Sequence, residues 1–173
     1  MRRSRDLISC GTMAGEFQTE GPIQAEVFVV WRAGNGVKLS GPCAPAPWYI
    51  EVPAGDDAVA VVTTLARAEV GEPIVVHSTS WRHGEDSVLL TFMVVVDHLT
   101  GSRLDSTPVG RTQLARGGAT DAPAVIEHTQ VLEHGLRHLA WLVKEDPAVS
   151  ASLDAEWGTL LAEYAPEPFQ NLR

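Results

Sequence analysis

The run VLLTFMVVV, Val88–Val96, restricts how this chain folds more than any other segment. Successive side chains of an extended strand face opposite ways, so a stretch whose only polar member is Thr91 buries both of its faces. It therefore belongs in the middle of a sheet. Its nine residues are also far short of the roughly 20 needed for a helix to cross a membrane. Just upstream, PIVVHSTSWR leads into the turn residues HGED, His83–Asp86, which predicts an antiparallel hairpin.

Other elements gather around that hairpin. AEVFVVWR, Ala25–Arg32, is rich in β-branched and aromatic residues and ends at the turn AGNG, after which VKLS, Val37–Ser40, returns as a short strand. The three prolines of GPCAPAPW lack amide donors, so this piece is an extended loop, and WYIEV, Trp48–Val52, resumes strand character. Asp56 or Asp57 can cap a helix whose apolar positions are Val59, Val62, Leu65 and Ala66, with Gly71 as its stop. From His98 to Pro123 there is no periodicity, and loops longer than roughly 12–15 residues are uncommon in compact domains. The expectation there is a mobile loop, with a lid over a site as the alternative.

The last third reads as helical. Asp121 is the expected cap of a helix reaching Lys144, and Asp146 before Pro147 opens another that continues to Tyr164, with Leu153, Trp157, Leu160, Leu161 and Tyr164 as its apolar stripe. Pro166 and Pro168 would end it. The expected architecture is a single α+β domain over residues 22–173, a mixed or antiparallel sheet with an inserted helix and C-terminal helices. A flexible tail, residues 1–21, precedes it.

Composition removes some functions. A formal charge of −9 and only two lysines, Lys38 and Lys144, leave no basic stripe for a polyanion, so nucleic acid is not an expected partner. No membrane partner is expected either, and self-association is left open. Cys10 and Cys43 form neither a disulfide framework nor a CxxC pair, which fits a reducing cytoplasm. In MRRSRDLISCG only Leu7 and Ile8 separate Asp6 from Ser9, too little for the apolar core of a secretory signal; a cytosolic tail, or a true start at Met13, is expected instead.

Two polar constellations are candidates for chemistry. Along HSTSWRH, strict alternation puts His77 with Thr79 and Trp81 on one face and Ser78 with Ser80 and Arg82 on the other, so His77 and Ser78 form no dyad. Thr79 would lie about 6.5 Å along the strand from His77, beyond direct hydrogen-bond reach. No GxSxG elbow exposes a serine. The candidate ligand-binding residues are His77, Thr79, Trp81 and Arg82, with His83 beside them; a polar strand face without function is the plainer alternative.

On the helix IEHTQVLEHGLRHLAWLVKE, Glu127, His134, His138, Trp141 and Glu145 share one face, opposite Val125, Leu132, Leu136, Leu139 and Val143. Histidines four apart can bind one metal, so the candidate metal ligands are His134, His138 and Glu127. HExxH is absent, and Arg137 adds a positive charge between the histidines. The plainer alternative is a solvated face of charge pairs, and Trp141 is a candidate anchor for a partner. ARGGATD, Ala115–Asp121, is a weak anion site before a helix start, and no P-loop or dinucleotide fingerprint occurs.

The order of strand, Pro-rich loop, WYIEVPAG, a helix ending AEVGEP, strand hairpin and C-terminal helices resembles the Nudix hydrolases. Trp48, Pro53 and Gly55 match the approach to that family's metal-binding helix, and Glu69 with Gly71 match its end. The stretch from Gly55 to Gly71 is shorter than the family's box, Thr64 and Leu65 stand where its arginine–glutamate pair would be, and Ala68 replaces a ligand carboxylate. The resemblance thus implies the layout without the magnesium site, since one glutamate is too few oxygen ligands for the ion. HSTSWR and LRHLAWL also resemble segments of small uncharacterised actinobacterial proteins. Together these readings lead to a non-catalytic domain that binds a small molecule or a protein and carries no cofactor. The alternative is a hydrolase that uses a divalent metal on His134 and His138.

Overall fold

A computed structural model describes residues 23–42, 44–83, 87–98, 104–115, 123 and 125–164. Those residues form a single α+β domain with a mixed six-stranded sheet. Its strands are β1 (Ile23–Ala33), β2 (Gly36–Gly41), β3 (Trp48–Val52), β4 (Val75–His83), β5 (Val88–Val96) and β6 (Asp105–Pro108). The helices are α1 (Ala58–Glu69), α2 (His128–Glu145), α3 (Pro147–Ser152) and α4 (Ala155–Leu161), with a final 3-10 turn, Ala162–Tyr164.

Strand β1 organises the sheet. Its first half pairs antiparallel with β3, from Ile23↔Val52 to Val27↔Trp48, and its second half pairs antiparallel with β2, from Val29↔Ser40 to Ala33↔Gly36. The opposite edge of β1 runs parallel to β5, which in turn pairs antiparallel with β4. The order β4-β5-β1-β2-β6 therefore leaves the predicted central strand, β5, flanked on both sides.

Each face carries its own core. On one side Ala25, Val27 and Val29 of β1 and Phe92, Val94 and Val96 of β5 meet Val62, Ala66 and Val70 from α1 and its end. On the other, Phe28, Val30, Met93 and Val95 meet Val131, Leu132, Leu136, Leu139 and Ala140 of α2, with Leu153, Trp157, Leu161 and Tyr164 closing the layer. Burial of a leucine of this kind contributes about 1.5–3 kcal/mol, so α2 is held chiefly by its apolar stripe. The closest approach is at Gly135, where an added Cβ would lie 2.5 Å from Met93 Sδ.

Several expectations need adjustment. The segment 98–123 contains a short strand, β6, which pairs with β2 from Lys38↔Pro108 to Gly41↔Asp105; residues 99–103 and 116–122 lie outside the described residues. Helix α2 begins at His128 with Glu127 as its N-cap, later than the expected cap at Asp121, which is not among the described residues. The final helix is two: Leu153 leaves helical geometry, and the Asp154 side chain accepts the amides of Glu156 and Trp157 to start α4 afresh. Residues 1–22 and 165–173, including the expected tail and Pro166 and Pro168, also lie outside the described residues.

Candidate functional site

A transverse polar row crosses the α2 face of the sheet. Tyr49 on β3 is opposite Glu26 on β1, Glu26 is opposite Thr91 on β5, and Thr91 is opposite Ser80 on β4. Among otherwise apolar neighbours this row is a deliberate interruption, and Glu26 is fully buried within it. A buried carboxylate needs partners. Arg82 supplies a two-pronged pair, Nη1 to Oε1 at 2.6 Å and Nη2 to Oε2 at 2.7 Å, while the Thr91 hydroxyl donates to Oε1 at 2.5 Å. Beyond Glu26 in the row, the Tyr49 hydroxyl and His128 Nε2 are 2.8 Å apart. Burial, and then the Glu26 carboxylate, push the Tyr49 hydroxyl above its ordinary pKa.

Arg82 reaches Glu26 because β4 carries a bulge. The register passes from Ser78↔Phe92 directly to Ser80↔Thr91, leaving Thr79 without an opposite residue. His77 lies opposite Met93 and faces α2; after the extra residue Ser80 and Arg82 face α2 as well. Trp81 instead pairs with Leu90, which packs in the α1-side core. The expectation that His77, Thr79 and Trp81 share a face opposite Ser80 and Arg82 is thus corrected: one unpaired residue shifts the alternation. Thr79 retains a long contact, Oγ1 to the Thr91 carbonyl at 3.4 Å. Trp81 is 62% exposed, with its ring edge-on to His83.

Between this end of β4 and the first turns of α2 lies a cavity of about 230 Å³. Trp81, Leu114, Ala115, Pro123, Ile126 and Val131 border it with apolar surface, while Ser80, Arg82, Gln130 and His134 contribute polar groups. The described ends of the 98–123 segment thus border it.

One helical turn beyond His134, His138 meets His77 across the gap between α2 and β4. His77 Nε2 and His138 Nδ1 are 3.1 Å apart, with the rings within 12° of parallel. Burial lowers the pKa of both; the Asp146 carboxylate partly opposes this at His77, whereas His77 and His134 reinforce it at His138. The His134 and His138 rings are 6.3 Å apart, and Trp141, 43% exposed, packs beside His138.

The expected metal set does not assemble. Glu127 is exposed at the N-cap of α2, its amide bonded to the Gln130 side chain at 3.0 Å. No three His, Cys, Asp or Glu side chains are grouped for a metal ion among the described residues.

A second buried carboxylate, Glu133, was not singled out from the sequence. Arg111 reaches it through Nε and Nη2, Arg137 Nε donates to it at 2.8 Å, and the Thr112 amide donates at 3.3 Å. Arg111 also lies over the Tyr164 ring, 4.4 Å from its centroid, and bonds the Glu163 carbonyl. Burial alone would raise the Glu133 pKa, but the hydrogen bonds from Arg111, Arg137 and Thr112 outweigh it and hold the carboxyl below its ordinary value. Its spacing of four from Arg137 was the available sequence signal. Glu26 had one too, as the one acidic residue in a largely apolar strand.

No described helix is long and apolar enough to cross a membrane. No family model matches the chain, and no curated protein matches its sequence.

Proposed function

We propose that this protein is a non-catalytic binding domain for a small neutral molecule, seated in the cavity between the end of β4 and the start of α2. The observation that carries the reading is the convergence there of Ser80, Arg82, Gln130 and His134 on otherwise apolar walls. Small-molecule sites combine apolar surface with a few oriented polar groups in this way. Because Glu26 already neutralises Arg82, an anion gains less there than at a free guanidinium, and a hydrogen-bonding neutral group suits the site better. The pair also locks the arginine in one position, so little side-chain entropy is lost on binding.

The order of elements is compatible with a Nudix-like layout, but α1 is poorly equipped for that family's chemistry. Glu69 is its only acidic residue and is exposed, and Thr63 and Thr64 spend their hydroxyls on the carbonyls of Val59 and Ala60. That shortage supports a binding role over hydrolysis of the Nudix type.

The test is a saturation-transfer NMR screen of neutral heteroaromatic fragments, followed by backbone and histidine shift mapping. Binding that moves His134, Gln130 and Val131 and is lost in His134→Ala is the expected result. Fragments that bind only elsewhere, or none that bind, would remove the proposal.

A further inference from the structure

We infer that His77 and His138 form a site for a divalent transition metal of the zinc type, bridging β4 to α2 beside the cavity. Two nitrogens bound to one tetrahedral zinc at about 2.0–2.1 Å stand roughly 3.3 Å apart. The observed separation of 3.1 Å between His77 Nε2 and His138 Nδ1 is close to that value, so the metal would take the place of the shared proton, which moves to the far nitrogen of its own ring, with a tilt of the rings and little movement of backbone. As placed, the pair provides two nitrogens, with water for the remaining positions. His134, four residues before His138 on the same helix, has the spacing to become a third ligand on rotation.

Burial of both rings opposes a cation there, and the charges around the pair decide how far. Arg137, between the two helical histidines in sequence, is turned to Glu133 and neutralised there. The Asp146 carboxylate is the charged group that acts on His77. Among the described residues neither imidazole of the pair has a carboxylate or carbonyl partner to fix its tautomer, so either ring can present the required lone pair. Imidazole donors suit zinc, copper and nickel, whereas magnesium and calcium prefer oxygen. The site differs from the helical set of His134, His138 and Glu127 in drawing its first pair of ligands from two elements.

The experiment is a zinc titration of the full chain, read by calorimetry and by long-range proton–nitrogen correlation spectra of the histidine rings. One equivalent is expected, with the His77 and His138 nitrogens shifting together while those of His83, His98 and His128 stay in place. His77→Ala and His138→Ala should each weaken uptake by at least the roughly 10–100-fold that losing an outer-shell partner costs a metal site. Absence of uptake overturns the inference. So does uptake that leaves the His77 and His138 signals unmoved, as binding by Cys10 and Cys43 would. The ring spectra need no variant, so the outcome holds even where a substitution prevents folding.

Discussion

The two faces of the sheet are made by the same strands, yet they are built on opposite terms. Against α1, β1 and β5 present Ala25, Val27, Val29, Phe92, Val94 and Val96, and no buried charge interrupts them among the described residues. Against α2, the alternate positions of those strands include Glu26 and Thr91, and the helix contributes Glu133, His134 and His138. The first face needs only volume and shape. The second spends folding energy on dehydrating carboxylates that a well-packed apolar core would not contain. Cavity, histidine pair and both buried carboxylates lie on the α2 side, so the cost of desolvating polar groups falls on that side.

The difference can be tested by substitution. Arg82→Ala should have the largest effect, since it strands the Glu26 carboxylate: breaking a buried pair in this way costs about 3–5 kcal/mol. Glu26→Gln leaves an arginine that can turn to water and should cost less. Urea denaturation of both variants measures the asymmetry, and equal losses would show that Glu26 is not desolvated as the structure has it. On the opposite face, Val94→Thr places a hydroxyl on a strand where no polar row exists to receive it, and about 1–3 kcal/mol should be lost in the same assay. Tolerance of that threonine would mean the α1 face is less dry than its residues indicate.

A smaller effect should appear only in acid. Glu133 has its folded pKa depressed below the ordinary 4.5, so its stabilising contribution is present above that value and is lost as pH falls through the lower folded value. The difference in melting temperature between wild type and Glu133→Gln should therefore shrink on acidification. A difference independent of pH would assign the loss to packing and not to charge. Last, Arg67→Ala on the solvent side of α1 removes an exposed bidentate pair with Glu72 and should leave the melting temperature unchanged.

Legibility in the sequence followed the range of the interactions. The hairpin β4–β5, the strands β1–β3 and helix α1 were readable because apolar spacing and turn residues are local signals, and Asp57 caps α1 as expected. Strand β6 was not, for it has four residues and owes its state to β2 alongside it. The break at Leu153 was hidden by an apolar stripe that continues unbroken across it, although Asp154 carried a capping signal. The site was legible in its parts only. His77, Arg82, His134 and His138 stood out as residue types, but Arg82 with Glu26 and His77 with His138 are 56 and 61 positions apart, and nothing local records those meetings.

Thr79 has a further consequence. Since Ser80 and Arg82 reach the side occupied by His77 only while it stays out of the ladder, the bulge matters more than the chemistry of its residue. Exchanging or even excising Thr79 would leave Ser80, Trp81 and Arg82 opposite Thr91, Leu90 and Leu89, whereas flattening the bulge with the residue kept would act as a spatial frameshift, swinging the guanidinium to the wrong side and the indole inward.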